Sequence, residues 1–258
     1  MSSVKRERDG KVGILTLNDP ASLNAMTPEL LGDLARAVGE MGHDPGIRAL
    51  VLTGEGRGFC SGQNLKAFNS LGDNIYTGVM THYWPAMQAL RECRMPVVVA
   101  VNGVAAGGGF SLAMSGDIIL AARSASFIQV FSRIGLVPDL GSTWLLPRLV
   151  GLSVASEFLL TGRFIKAERA QAIGLVSDIV APDALLARGL AFAEEMLRVS
   201  PMGLRMTKQA LNTLIDAPSL DAALMIEDRQ QVILLETADH AEAVAAFRER
   251  REPTYSDQ

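Results

Sequence analysis

Ala100-Val-Asn-Gly103-Val-Ala-Ala-Gly107-Gly108-Gly109-Phe110-Ser111-Leu112-Ala113-Met114 continues an apolar run, Pro96 to Val101 (PVVVAV), through a cluster of glycines into a helix-compatible segment. A buried strand that breaks into glycines and restarts as a helix is the basic unit of an α/β fold. The helix is expected from Gly108 to Ser115. Glycines before it let backbone N–H groups point outward with no side chain in the way. Reinforced by the helix N-terminus, those donors make a place for a developing negative charge. The plainer reading is that the glycines only let strand and helix pack closely, and the loop alone supports both readings equally.

The same alternation extends to either side. Lys11 to Leu17, Arg48 to Thr53, Asp117 to Ala121 and Leu175 to Val180 read as further strands. Thr27-Pro28 is a helix start, a capping hydroxyl followed by proline at the first helical position. Leu30, Leu31, Leu34, Val38 and Met41 then keep helical spacing. After Ala181-Pro182 the β runs stop, and Asp183–Val199, Pro201–Ile215, Leu220–Thr237 and Ala241–Arg251 read as consecutive helices. The expected organisation is an α/β core over residues 1–195 and an all-helical part over 196–258, whose apolar faces suit docking on another subunit.

A second glycine loop, Gly54-Glu-Gly56-Arg-Gly58-Phe59-Cys60-Ser61-Gly62-Gln63-Asn64-Leu65, also follows a strand. It lacks the third glycine of a dinucleotide-binding fingerprint, and no helix follows at once. Composition narrows the remaining classes. The 258 residues are 48% apolar and 20% charged, which excludes a mostly disordered chain. A net charge of −4 argues against a general grip on nucleic acid. Cys60 and Cys93 make neither a disulfide framework nor a zinc motif, so no metal is expected. Met95 to Gly116 is uncharged over a membrane-spanning length, but Pro96, Asn102 and the triple glycine suit a buried strand–turn–helix. The charged N-terminus does not lead into a signal peptide. A cytoplasmic protein without membrane contact is expected.

Several motifs occur together and in order: Asp19-Pro-Ala-Ser22-Leu23-Asn24-Ala25-Met26, Phe59-Cys-Ser61-Gly62-Gln-Asn64-Leu65-Lys66, the triple-glycine segment, Leu160-Thr-Gly162-Arg-Phe-Ile165-Lys-Ala167 and Gly174-Leu-Val176. Over essentially its whole length the chain resembles the crotonase (enoyl-CoA hydratase/isomerase) superfamily. The resemblance implies a spiral core of repeated ββα units, a helical C-terminal trimerisation region and an acyl-CoA thioester substrate. It implies no cofactor beyond the coenzyme A that the substrate carries, and self-assembly into a homotrimer or a dimer of trimers. By matching positions, the backbone N–H groups of Ser61 and Gly108 would form an oxyanion hole on the thioester carbonyl. Losing one such donor costs about 10²–10³ in rate. Ser22, Leu23, Asn24 and Ala25, with Asn64, Leu65 and Lys66, fall where the family holds coenzyme A. Lys208 and Phe247 match positions that close over it.

The family's hydratases use two glutamates, and the matching positions here are Ser111 and Phe131. Ser111 is a poor base at neutral pH and Phe131 cannot transfer protons. The only acid in Ile134-Gly-Leu-Val-Pro138-Asp139-Leu-Gly141-Ser-Thr-Trp144-Leu-Leu-Pro147-Arg148 is Asp139. The segment is similar to that of family members acting as double-bond or ring isomerases, including the ring-opening isomerase of aerobic phenylacetate degradation. One carboxylate suffices for allylic isomerisation: it removes the proton alpha to the thioester and returns it at the gamma carbon. An apolar wall of Phe131, Leu136, Leu140 and Trp144 would raise its proton affinity.

Asp139 alternatively caps the helix expected over Gly141 to Val150. His82, in Met80-Thr-His82-Tyr83-Trp84, borders the acyl pocket by the same resemblance, as a second acid/base or as an ordinary histidine. Cys60 reads as a small buried filler. An acyl-CoA isomerase using Asp139 is the leading expectation. A hydratase with atypical catalytic groups, an aryl-CoA dehalogenase and a non-catalytic RNA-binding member of the family are the alternatives. Salt-dependent RNA retention would mark the last.

Overall fold

Unbroken apolar runs make the inner strands of the main sheet, as expected where both faces are covered. The computed structural model of the chain describes residues 2–64 and 74–257. Strands β1 (Val4–Asp9), β2 (Val12–Leu17), β3 (Ala49–Gly54), β5 (Val97–Val101), β7 (Ile118–Ala122) and β10 (Asp178–Val180) form one sheet in the order β1-β2-β3-β5-β7-β10. β1 and β2 are an antiparallel hairpin, and every pairing from β2 onward is parallel, with Val51 opposite Val98 and Val98 opposite Ile118. All five residues of β5 are buried.

The strands missing from the sequence reading are the short ones. β4 (Gly58–Cys60), β6 (Val104–Ala106), β8 (Ser126–Ile128) and β9 (Ile165–Lys166) form a second sheet in the order β4-β6-β8-β9. Runs of two or three residues carry no readable period. Each of β3, β5 and β7 is followed in the chain by one of these short strands, which gives the spiral of ββα turns that defines the crotonase-like α/β architecture. β1 was also missed, because Lys5, Arg6, Glu7, Arg8 and Asp9 look like a solvated tail. Only Val4 of this edge strand is fully buried.

α1 (Pro28–His43) starts where expected: the Thr27 hydroxyl accepts the Leu30 N–H at 3.1 Å, and Leu30, Leu31, Leu34, Val38 and Met41 are buried. α2 (Ile75–His82) and α3 (Trp84–Glu92) precede β5, and α4 (Gly108–Ala113) follows β6. α5 (Ser142–Val150), α6 (Leu152–Thr161) and α7 (Ala167–Ala172) lead to β10. That strand is shorter than the expected 175–180, because Leu175 and Val176 are buried in the turn before it. α8 (Leu185–Leu197) lies on the main sheet, where a Cβ on Gly189 would stand 3.3 Å from Val51 Cγ1. The expected boundary at residue 195 therefore falls inside a helix of the core.

The chain leaves the sheet with α9 (Pro201–Leu214), α10 (Leu220–Leu235) and α11 (Ala238–Glu249), capped by Ser200, Ser219 and Thr237. No residue of α10 is buried, and Leu220, Met225, Val232 and Ile233 are exposed on it. Among the described residues no helix is long and apolar enough to cross a membrane.

Candidate active site

The two glycine loops meet. A Cβ on Gly62 would stand 2.6 Å from the Ala106 carbonyl oxygen and 3.5 Å from the Gly108 nitrogen. Gly62 also adopts a φ of +87°, so both its conformation and this close approach require glycine. The 61–64 segment runs beside the start of the chain's first helical turn. Met26 N–H donates to the Gly62 carbonyl at 2.8 Å, and Asn64 N–H to the Met26 carbonyl at 3.0 Å. These bonds make a parallel bridge between Met26 and Gln63. In such a bridge the central residue offers its neighbours' polar groups to the partner, so its own N–H faces the other way. The Gln63 N–H therefore points away from Met26.

This geometry corrects one expectation. The Ser61 N–H donates to the Leu23 carbonyl at 3.0 Å and is committed to holding the loop. It is not available to a substrate. Among the described residues the amides of Gln63 and Gly108 have no acceptor. Gly108 is the first residue of α4, so its N–H lies in the turn where a helix has no internal partner. Sequence matching pointed to the Ser61 amide, whereas the amide left without an acceptor among the described residues lies two residues later, at Gln63.

Asp139 stands next to this pair. Its successor Leu140 has φ +51° and reaches to within 3.3 Å of where a Cβ on Gly108 would be. Gly141 follows with φ +83°. The turn is held from below. Ser111 Oγ donates to the Asp139 carbonyl at 3.2 Å and pairs with Ser142 Oγ at 2.6 Å, and Gln129 Nε2 donates to Ser142 Oγ at 2.7 Å. All three side chains are buried. Ser111 thus holds the Asp139 backbone in place. The residue at the N-terminus of α5 is Gly141, and no side chain caps that helix, so the Asp139 carboxylate is not spent on capping.

Among the described residues no cation pairs with the Asp139 carboxylate; its own N–H is its hydrogen-bond donor. Asp139 is open to solvent on the wall of a cleft of about 490 Å³. Even so, the surrounding protein pushes its carboxyl above the usual aspartate range through desolvation, outweighing that single N–H. Trp84, Met87, Leu140, Trp144 and Leu145 make the apolar part of the wall, and Gln88, Arg91, Glu92 and Ser115 the polar part.

Two expected wall residues stand elsewhere. Phe131 is buried against Gly107, 3.6 Å from its would-be Cβ, and backs the glycine turn from beneath. Leu136 is 58% exposed and is not part of the cleft.

The remaining site candidates separate by what their polar atoms do. Ser22, Leu23, Asn24 and Ala25 lie beside 61–62, joined by Ser61 Oγ donating to the Ser22 carbonyl at 2.9 Å. Asn24 is fully buried: it accepts the Asp19 N–H at 2.8 Å and donates to the Glu55 and Gly58 carbonyls at 3.1 and 2.9 Å. Its side chain braces the loop and has nothing left for a ligand. Asn64 follows Gln63, its N–H held by the Met26 carbonyl, whereas Leu65 and Lys66 are outside the described residues. Lys208 is committed as well. Its ammonium pairs with Asp117 at 2.7 Å and donates to the Leu90 and Met95 carbonyls at 3.1 and 3.0 Å. Phe247 is 85% exposed on α11, away from the cleft. Cys60 is buried and its thiol is pushed up to about 12, so it stays neutral. His82 does not line the cleft; its neighbour Tyr83 is the side chain that turns inward, and the sequence reading passed over it.

A family model described as enoyl-CoA hydratase/isomerase matches residues 7–258. The chain belongs to the enoyl-CoA hydratase/isomerase family. Its similarity to a 1,2-epoxyphenylacetyl-CoA isomerase of Escherichia coli is 39% identity over 246 residues, covering 94% of each chain. It is also 39% identical over 258 residues to a probable enoyl-CoA hydratase of Rhodobacter capsulatus, covering 98% of each. Solved crotonase-fold structures superpose along the whole length. A probable enoyl-CoA hydratase/isomerase from Mycobacterium abscessus gives a TM-score of 0.92 at 34% identity, covering 100% of both chains. An enoyl-CoA hydratase from Bacillus anthracis gives 0.94 at 29% identity, covering 99% of this chain and 100% of that one. The protein is therefore an enzyme of this family, and its relatives carry both isomerase and hydratase names.

Proposed function

We propose that this family member is an acyl-CoA isomerase in which Asp139 is the single acid/base and the Gln63 and Gly108 amides hold the enolate oxygen. The observation that supports this most is a carboxylate in an apolar cleft, on a turn whose Leu140 reaches Gly108; among the described residues the carboxylate has no cation partner and the Gly108 and Gln63 amides have no acceptor. The Asp139 carboxylate takes the proton alpha to the thioester, and the electron pair moves into the carbonyl oxygen. Two fixed N–H donors stabilise that oxygen more than they stabilise the neutral carbonyl. Asp139, now protonated, returns its proton at the gamma carbon, and the double bond moves by one position. A bound acyl group would displace the remaining water from Asp139 and raise its proton affinity further. A proton is moved within the substrate, so no electron carrier is needed.

The wall of Trp84, Met87, Leu140 and Trp144 suits a flat or cyclic acyl group, in keeping with the name of the isomerase relative. The loop at Ser22–Ala25, with Asn64, is proposed to hold the coenzyme A portion. The unburied apolar face of α10 is proposed to lie in the contact of a trimer. A hydratase is the second reading, supported by the names of other relatives and by Glu92, which shares the cleft wall with Asp139.

Turnover of a 3-enoyl-CoA and a 2-enoyl-CoA, measured side by side for wild type and Asp139→Asn, tests the proposal. Conversion of the 3-enoyl substrate to its conjugated isomer, lost in the variant, is the expected result. Hydration of the 2-enoyl substrate indifferent to the variant would overturn it.

A further inference from the structure

Tyr83 closes a link across the site that the mechanism so far does not use. It sits at the junction of α2 and α3, is only 4% exposed, and its hydroxyl donates to Gln63 Oε1. The other end of the Gln63 amide is also tied, Nε2 donating to the Asn64 carbonyl at 3.2 Å. Gln63 is thus gripped by its side chain, while its backbone N–H points away from Met26 and has no acceptor among the described residues. The next residue after Tyr83 is Trp84, on the wall of the acyl cleft, and Met87 and Gln88 follow on the same helix. Burial keeps the Tyr83 phenol protonated, so it remains a donor.

Resting on the oxyanion pair proposed above, we propose that Tyr83 is a positioning residue: its hydroxyl, through the Gln63 side chain, aims the Gln63 N–H at the thioester oxygen and ties that donor to the cleft wall carrying Trp84. A hydrogen-bond donor is effective only when fixed where charge develops, and a displacement of about 1 Å costs up to about 10²-fold in rate. The link gives the acyl group a route to the oxyanion hole. An acyl group that seats well against Trp84 holds the α2–α3 junction, and with it Gln63. Discrimination between acyl groups would then appear in kcat more than in KM.

The test uses Tyr83→Phe, which removes one oxygen and keeps the ring. Expected are a kcat lower by about 10-fold or more, with KM within a factor of about 3. Infrared spectroscopy of bound butyryl-CoA, isotopically labelled at the thioester carbonyl, reads the hole without any isomerisation. The wild type should shift the carbonyl band to lower frequency, and Tyr83→Phe should lose much of that shift. Gln63→Ala should give the same defect, and the double variant no more than either single one, since both cut the same link. If Tyr83→Phe does not fold, the same readings on Gln63→Ala decide the matter. A carbonyl shift retained in both variants would overturn the role of Tyr83 and leave the oxyanion pair standing. No shift in the wild type would overturn the pair itself, and the role of Tyr83 with it.

Discussion

Asp117 and Asp139 are two aspartates that the surrounding protein drives towards the protonated form, and they do opposite things. Asp117, whose side chain is 22% exposed, receives the Lys208 ammonium at 2.7 Å and the Val97 N–H at 2.7 Å. It joins α9 to the edge of β5. Asp139 lies more open, yet among the described residues it has no cation and no donor except its own N–H. Desolvation is the leading influence on both carboxyls. What separates them is the supply of partners. A carboxylate with its charge compensated is a strut, because moving its proton breaks the contacts that hold it. One left uncompensated in an apolar cleft is available to take and return a proton.

The sharpest way to break this comparison is to neutralise each aspartate's function in turn. Asp139→Asn should lower kcat for isomerisation by about 10³-fold, within the usual range for a lost general acid/base. The denaturant midpoint should not fall. Loss of stability with retained turnover would exchange the roles assigned to the two residues. Lys208→Met should do the reverse, destabilising the fold by about 3 kcal/mol because Asp117 is left without its cation. Urea unfolding measures that, and KM for the acyl-CoA should change little. A raised KM at unchanged stability would return Lys208 to the coenzyme A contact that the family resemblance assigns it.

Asp139 was legible in the sequence because it is the one acid in its segment and because Ser111 and Phe131 cannot carry protons. The main-sheet strands were legible because burial on both faces demands unbroken apolar runs such as Val97–Val101. Three things were not. The second sheet is made of strands of two or three residues, too short for a pattern. The proposed oxyanion donor turns on which way alternate N–H groups face along 61–64, a matter of bridge geometry that residue identity does not encode. The fates of Asn24, Lys208 and Tyr83 depend on partners distant in the chain: Gly58 for the first, Asp117 and Leu90 for the second, Gln63 for the third. A sequence motif marks such residues without saying whether they face a ligand or the protein.

The Ser111 hydroxyl sharpens the comparison at smaller scale. If it supports the Asp139 turn, Ser111→Ala should cost about 1 kcal/mol of stability, the ordinary worth of a buried hydrogen bond. It should also lower kcat by roughly 10-fold, since the carboxylate then sits on a looser turn containing two left-handed residues. The pH profile of kcat/KM should keep its shape, because Ser111 does not titrate in the working range. A profile whose acid limb disappears would make Ser111 a participant in proton transfer.

The smallest effect is on stability against pH, and its sign follows from a carboxyl held above its ordinary range. Asp139 in the fold holds its proton to a higher pH than the ordinary aspartate value of 3.8. Between those two values the folded chain binds more protons at this position than the unfolded chain does. Stability therefore falls as pH rises through that window, and the loss persists above it. Asp139→Asn removes the loss, so its Tm at neutral pH should lie slightly above the wild type, and the difference should vanish below the ordinary aspartate range. Activity runs the other way. The reaction begins with the carboxylate ionised, so kcat/KM should drop as pH falls through the raised value, giving an acid limb above 3.8. On the proposed mechanism, the fold gives up a little stability at neutral pH to keep a base whose proton affinity suits the exchange. A Tm lowered by Asp139→Asn, as expected for a supporting contact, would mean that Asp139 belongs with Asp117 after all.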